Sequence, residues 1–417
     1  MFSLDALRKE FASCSCGMEH ELSIRDVVIK SGAVNETGEI LKRNGFGKKL
    51  LLVADNNTLK AASGVLEALD GFDVQLKLYE NLREATVEQV EVLKGLLEDN
   101  DGIISVGTGS LNDICRKAAA DADKPLCIFA TAASMDGFAS YGAPLTDGNF
   151  KATYSAKSPE VIIADTKILA AAPTELKSAG FGDMIGKYVG LIDWQVSALI
   201  SGEYYCEKVA KLTRDATDMI MALADRITLD DEESSAAVFE ALLLTGIGMS
   251  FTKTSRPASG TEHIVSHFWE CKKLLEGKIS DFHGKKVGVA TLLIMKEYEK
   301  LAKIKKVTAQ KEVVDWEDVY AHYGALKDEV IKLNTPDTIT DSIDPRDIEK
   351  NWDKIVEIVK SVPTYDQIYS AMKRAGAATT AEEIAVSKEL EQEGLKYHTY
   401  MRRRLSLLRI SKMIKEA

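Results

Sequence analysis

The sequence of 417 residues holds six histidines, and three of them, His263, His267 and His283, fall within 21 residues. His263 and His267 are spaced i, i+4, so on a helix they share one face. His283 begins the run His-Gly-Lys-Lys-Val-Gly, which leads from a loop into another helix. Asp183 lies in Ala179-Gly-Phe-Gly-Asp-Met-Ile-Gly-Lys187, where the two preceding glycines predict that it opens a helix. One carboxylate with two or three imidazoles suits a divalent ion such as Zn²⁺, Ni²⁺ or Fe²⁺ and leaves coordination positions open. A lone histidine is ordinarily structural, so the clustering carries the ligand reading.

Two further groups can hold an anionic cofactor. Gly102-Ile-Ile-Ser-Val-Gly-Thr-Gly-Ser-Leu-Asn-Asp113 runs from strand to glycine loop to helix. Such a loop lets backbone N–H groups approach a phosphate, and the helix N-terminus favours the negative charge. It departs from the Rossmann fingerprint, because Asn112 stands at the third glycine. The second group, Thr131-Ala-Ala-Ser-Met-Asp-Gly-Phe-Ala-Ser140, places hydroxyls and Asp136 just past the next strand. Open α/β sheets bind ligands at such carboxyl ends. Asp55 ends an earlier strand; it either accepts hydrogen bonds from a ribose diol, favouring NAD over NADP, or caps the helix that follows.

The elements that must position these residues change character along the chain. Strand-like runs at Asp26–Lys30, Lys48–Ala54, Val74–Tyr79, Gly102–Val106, Leu126–Thr131 and Val161–Ala164 alternate with helical patterns. Several are apolar almost throughout, as parallel strands buried on both faces are. Thr86 and Gln89 form a capping-box pattern ahead of the stripe Val87, Val90, Leu93, Leu97. After about Asp165, helical patterns dominate, at Asp183–Ile200, Glu207–Ala224, Ala236–Thr252 and Lys286–Lys300. The expectation is α/β: a parallel-sheet dinucleotide domain over residues 1–165, then a helical metal- and substrate-binding domain over 166–417.

Composition bounds the function. With 53 Lys+Arg against 64 Asp+Glu, the formal charge is −11. That opposes nonspecific nucleic-acid binding, which needs concentrated basic residues. No run reaches the 18–20 or so uninterrupted apolar residues expected of a membrane span, and the N-terminus lacks a signal-type apolar core. With six scattered cysteines, these features predict a soluble, cytoplasmic protein. Cys14-Ser-Cys16 looks like half a metal site, but no second thiol pair follows at ligand spacing, so ordinary thiols are expected. The basic run Arg402-Arg403-Arg404 reads as a solvated helix face.

Taken in order, the glycine loop, the Ser-Met-Asp-Gly phrase, Gly182-Asp-Met-Ile-Gly-Lys187, Ser259-Gly-Thr-Glu-His-Ile-Val-Ser-His267 and His283-Gly-Lys-Lys-Val-Gly288 resemble one family. It is the sn-glycerol-1-phosphate dehydrogenase branch of the iron-type alcohol dehydrogenase and glycerol dehydrogenase superfamily, matched over roughly residues 20 to 300. The resemblance implies Asp183, His263 and His283 as metal ligands. It implies Asp136, Asp183 and His267 against the substrate, with Asp183 and His267 in the chemistry. The dinucleotide, NAD(H) or NADP(H) with NAD favoured by Asp55, falls to Asp55, Gly109, Ser110, Leu111, Asn112, Asp113, Thr131, Ala132, Ala133, Ser134 and Ser140. Some superfamily members carry a fourth ligand, a histidine, where this chain has Lys187.

The implied reaction interconverts dihydroxyacetone phosphate and sn-glycerol 1-phosphate by hydride transfer at C2, a step of glycerophospholipid synthesis. A metal-polarised carbonyl and a proton relay near His267 are implied with it. The implied assembly is a homodimer. The substrate phosphate needs a cation, and at least one of Lys187, Lys253, Arg256 and Lys285, all near the motifs, is expected to supply it. The alternatives are a glycerol dehydrogenase acting on unphosphorylated glycerol or dihydroxyacetone, and a nucleotide-binding regulator whose metal is only structural. A 3-dehydroquinate synthase is disfavoured by the Ser-Met-Asp-Gly phrase and by Asp183 in place of a glutamate.

Overall fold

A computed structural model describes residues 3–416. Eight strands lie ahead of residue 166: β1 (Asp26–Lys30), β2 (Lys49–Asp55), β3 (Asp73–Tyr79), β4 (Gly102–Gly107), β5 (Leu126–Ala130), β6 (Gly142–Asp147), β7 (Phe150–Ser155) and β8 (Val161–Asp165). Six of them form one parallel sheet in the order β1-β8-β5-β4-β2-β3. β4, β5 and β8 are buried along their whole length, which is why their sequences are apolar rather than alternating. The side chains of β2, β4, β5 and β8 divide by parity. Leu52, Ile104, Val106, Cys127, Phe129 and Ile163 pack on one face, and Val53, Ile103, Ile128, Ala130 and Ile162 on the face joined to the helical part. The chain leaves β2 toward β3 and leaves β4 toward β5, so the order reverses between β2 and β4. That crevice, outside the carboxyl ends, is where such sheets bind ligands.

Helices α1 (Leu4–Ala12), α2 (Thr37–Arg43), α3 (Asn56–Ala61), α4 (Val87–Leu97) and α5 (Ser110–Asp121) accompany the strands. The Thr86/Gln89 capping box forms as the pattern predicts. The antiparallel pair β6–β7 was absent from the strand pattern. It turns through Gly148-Asn149, with Gly148 at φ 57°, a two-residue hairpin signal hidden among polar residues.

The helical part begins with α6 (Thr166–Ala170), α7 (Thr174–Ser201), α8 (Glu207–Ala222), α9 (Glu232–Thr252), α10 (Thr261–Leu275) and α11 (His283–Leu301). One expectation fails here: Asp183 does not open a helix but sits inside the 28-residue α7. Its glycines serve close packing instead. A Cβ on Gly182 would stand 2.4 Å from the Gly284 carbonyl oxygen, and one on Gly180 would stand 2.0 Å from that of Ala133. Backbone therefore meets backbone where α7 crosses the start of α11 and the loop after β5. α9 is long and apolar enough to cross a membrane, yet 78% of its apolar window is buried inside this fold.

The chain end corrects another expectation. Arg402–Arg404 are not on a helix, and only Arg403 is exposed. The reason lies just downstream, where Leu405, Leu407, Ile410 and Met413 are buried and draw the backbone inward. The Leu407 N–H donates to buried Asp193 Oδ1 at 2.9 Å. The last described residues, β10 (Ile414–Glu416), pair antiparallel with β9 (Val307–Ala309).

Candidate active site

Three elements bring the proposed ligands together. α7 carries Asp183, the first turns of α10 carry His263, and α11 starts at His283. One donor atom from each lies within 4.8 Å of the others. His263 Nδ1 lies 2.6 Å from Glu262 Oε1, which also accepts the Gly260 N–H at 2.8 Å. With Nδ1 engaged by a carboxylate, Nε2 is the nitrogen left for a ligand, and it stands 3.5 Å from Asp183 Oδ1. A carboxylate–histidine–metal chain is the usual outer support of such a site. The donor set therefore fits a divalent ion.

Lys187 occupies the turn after Asp183 and is wholly buried. Its Nζ lies 2.7 Å from Asp183 Oδ1 and 2.8 Å from Asp136 Oδ2, while the Asp136 N–H donates to Asp183 Oδ2 at 2.9 Å. Burial alone would push the Asp183 carboxyl up, but Lys187 and the two histidines hold it well below its usual range. Burial and the Asp183 charge push Asp136 the other way, upward. Lys187 is raised, because the two carboxylates outweigh its burial. It balances two acids and is not available to a substrate.

The neighbouring wall is cationic. His267 is neutral, its pKa pushed down to about 3 by burial, and its Nδ1 lies 3.2 Å from Glu270 Oε2. Its ring stacks on that of His283 at a centroid distance of 5.7 Å. Glu270 also faces Lys151 at 2.8 Å and Lys286 at 3.4 Å. Those two lysines hold it well below its usual range despite burial. Arg402 joins through a bond to the Lys151 carbonyl oxygen at 3.2 Å and acts on His267 through its charge. Two lysines thus share one carboxylate, and Arg402 stands beside them. Lys151 arrives on β7 and Arg402 from the chain end. Neither is near the histidines in sequence, so no local spacing announces them. Glu270, three residues after His267 on one helix face, was within reach of a periodicity argument, and Glu262 directly precedes His263 in the sequence.

Of the four cations expected to meet the phosphate, Lys187 is committed as described, Arg256 pairs with Glu203, and Lys285 pairs with Glu175. Lys253 is exposed, at the left-handed end of α9.

The two loops expected to hold the dinucleotide lie side by side. Thr108 Oγ1 and Ser134 Oγ are 2.8 Å apart, and the Thr131 N–H donates to the Gly107 carbonyl oxygen at 3.3 Å. Gly109 precedes α5 at φ 47° with no side chain capping the helix, which leaves the first N–H groups facing the loop. Ser110 Oγ donates to the Arg83 carbonyl oxygen. Leu111 is buried, and Ser105 Oγ bonds Asn112 Oδ1 at 2.8 Å, so these two anchor the helix. Asp113 pairs with buried Arg116 at 2.9 Å, its carboxyl pushed up to about 6 by burial. Arg116 in turn donates to the Gly137 and Gly142 carbonyl oxygens, fixing the Asp136–Ser140 loop. Ala132 and Ala133 are buried, Ala133 against Gly180 of α7, and Ser140 Oγ accepts the Gly142 N–H. Asp55 takes the capping role. Oδ1 accepts Asn57 and Thr58 N–H at 2.9 Å, and Oδ2 accepts that of Leu82 at 3.2 Å.

A sheet with its ligand crevice beside a helical Asp–His–His centre defines a class. A family model described as iron-containing alcohol dehydrogenase matches residues 28–173. Solved structures agree in fold. A probable glycerol dehydrogenase from Sinorhizobium meliloti superposes with a TM-score of 0.62 at 15% identity, covering 93% of this chain and 95% of that one. An archaeal Red Sea brine pool alcohol dehydrogenase gives 0.64 at 15%, covering 94% and 96%. Within the class, a glycerol-1-phosphate dehydrogenase, NAD(P)+, from Halalkalibacterium halodurans is 30% identical over 414 residues, 97% of this chain and 96% of its own length. One of the same name from Pyrococcus furiosus is 34% identical over 274 residues, 65% of this chain and 77% of its own. This chain belongs to the glycerol-1-phosphate dehydrogenase family.

Proposed function

We propose that this protein is a metal-dependent oxidoreductase that reduces dihydroxyacetone phosphate to sn-glycerol 1-phosphate with NAD(P)H, for glycerophospholipid synthesis. Asp183, His263 and His283 would hold one divalent ion, and the loops at Gly109–Asp113 and Thr131–Ser134 the dinucleotide. A bound ion supplies Lewis-acid polarisation of a carbonyl, and the nicotinamide supplies the hydride. In this reading residues 1–165 hold the cofactor and 166–417 the metal and substrate, with Lys151 crossing over from the first part. The enzyme is soluble, cytoplasmic and a homodimer.

The chain's own residues do the positioning. Lys187 keeps Asp183 ionised, and Glu262 keeps His263 in the tautomer that leaves Nε2 free. His267 holds its proton at Nδ1 against Glu270, so its Nε2 lone pair can accept the alcohol proton in oxidation and, in reduction, pass to the alkoxide a proton first taken from water. Asp136, fixed by Lys187 and by its own N–H bond to Asp183, lines the same space.

The observation that carries a phosphorylated substrate is the surplus of cations beside His267. Lys151 and Lys286 pair with the single carboxylate of Glu270, with Arg402 held beside them on the Lys151 carbonyl oxygen, and a phosphate monoester brings about −1.5 to −2 charges at pH 7. The test is NADH oxidation by metal-stripped protein re-supplied with Ni²⁺, Zn²⁺ or Fe²⁺, comparing dihydroxyacetone phosphate with dihydroxyacetone. A strong preference for the phosphate, with chiral analysis giving the sn-1 product, is expected. Equal turnover of both would replace this reading with glycerol dehydrogenase.

A further inference from the structure

A second cluster of metal-ligating side chains lies apart from the Asp–His–His centre and takes no part in the proposed reaction. Cys14, Cys16 and His20 follow α1, while Cys206 is the residue before α8. One ligand atom from each of the four lies within 4.8 Å of the others. Cys14 Sγ and Cys206 Sγ are 3.6 Å apart, Cys206 Sγ is 3.6 Å from His20 Nε2, and Cys16 Sγ is 3.2 Å from the same nitrogen. We propose that Cys14, Cys16, His20 and Cys206 form a structural Zn²⁺ site.

The distances suit a tetrahedral ion. With Zn–S of about 2.3 Å and Zn–N of about 2.0–2.1 Å, tetrahedral angles place sulfurs about 3.8 Å apart and sulfur about 3.5 Å from nitrogen. A disulfide would need the sulfurs at about 2.05 Å, and it would leave Cys16 and His20 without a role. The imidazole is prepared for metal. His20 Nδ1 stands 3.0 Å from the Phe251 carbonyl oxygen, which can only accept, so the ring proton is on Nδ1. Nε2 then presents its lone pair to the three sulfurs, the outer-shell arrangement that metal-bound histidines use. The Tyr204 hydroxyl lies 3.1 Å from Cys16 Sγ and can donate to a thiolate. Phe11 and Phe251, 4.6 Å apart, shield one side. Without an ion, three thiols and an imidazole gain little from meeting, because S–H is a weak donor.

Four protein ligands close the coordination sphere, so the site is structural rather than catalytic. Its ligands come from segments nearly 200 residues apart, and it clamps the N-terminal segment onto the ends of α8 and α9. The loop leaving α9 leads directly into α10 with His263 and His267, so the clamp braces that connection. Against the expectation of ordinary thiols at Cys14 and Cys16, this reading adds His20, four residues after Cys16, and Cys206, which the tertiary fold brings in.

Co²⁺ substitution of the full-length chain tests this, because sulfur-to-cobalt charge transfer cannot arise at a centre of one carboxylate and two imidazoles. The expected result is a near-ultraviolet charge-transfer band with intense visible bands, retained in the His263→Ala/His283→Ala double variant and lost in Cys16→Ser/Cys206→Ser. Where the cysteine variant fails to fold, mercurial titration of the native thiols decides, with release of one equivalent of Zn²⁺ expected. Absence of the band in reduced wild-type protein, no zinc released by the mercurial, or a Cys14–Cys206 disulfide in freshly purified protein would each overturn the proposal. None of these readouts depends on enzymatic activity, so they stand or fall apart from the dehydrogenase reading.

Discussion

Glu262 touches no ligand of its own, yet its carboxylate sets which nitrogen His263 offers. Glu262→Gln keeps an acceptor for the Gly260 N–H but removes the charge. Competition with a chelator should show metal affinity reduced about 10- to 100-fold, the usual effect of outer-shell loss, with circular dichroism unchanged. Unaltered affinity would remove Glu262 from the centre. Arg402 poses the complementary question about substrate. If it meets the phosphate, Arg402→Ala loses a charge-assisted bond of about 1.5–3 kcal/mol, raising KM for dihydroxyacetone phosphate roughly 10- to 100-fold. Turnover of dihydroxyacetone should stay as it was, which a general loss of structure would not allow. At this scale Asp183, His263, His267 and His283 were legible because their motifs are local. Lys286 lies in the same motif as His283, whereas Lys151 and Arg402 were not legible, because only the folded chain brings β7 and the chain end beside Glu270.

The element that matters most is α7, and its glycines explain a miss. Gly180 and Gly182, flanking Asp183 in sequence, read as a helix start rather than as the surface across which α11 and the loop after β5 pack. Gly182→Ala forces a Cβ against the Gly284 carbonyl oxygen. Overpacking of this kind costs about 1–3 kcal/mol, and here it also separates Asp183 from His283. Thermal melting should show the loss, and metal analysis a substoichiometric ion. Gly95, exposed inside α4 with nothing within 4 Å of a Cβ, is the contrast. Gly95→Ala should stabilise by up to about 1 kcal/mol through helix propensity alone. β2, β4, β5 and β8 were readable because burial on both faces makes them largely apolar, while the edge strands β1 and β3 are only partly buried and mix polar with apolar residues. The β6–β7 hairpin is partly exposed, and its polar residues masked it.

Across the whole molecule, the charge of −11 describes the exterior, while the interior holds ionisable groups whose titration sets the acid stability. His398, past the helix Lys388–Tyr397, is fully buried, with Nδ1 2.7 Å from the Gly394 carbonyl oxygen. Burial, aided by the charges of Lys412 and Arg409, pushes its pKa down to about 3, against about 6.5 in an unfolded chain. Between those values the unfolded chain binds a proton that the folded chain refuses. Stability therefore rises with pH through this window and is lost as pH falls from about 6.5 toward 3, at about 1.4 kcal/mol per unit. By pH 5 the loss from this one group is about 2 kcal/mol. His398→Asn retains a donor for the Gly394 carbonyl oxygen and removes the titration. Urea unfolding at pH 7 and pH 5 separates the effects, since every other acid-sensitive group is common to both proteins. The wild type should lose about 2 kcal/mol more than the variant between the two pH values. Equal losses would mean that His398 takes up its proton in the folded state, and that water reaches a part of the helical core that packing here closes.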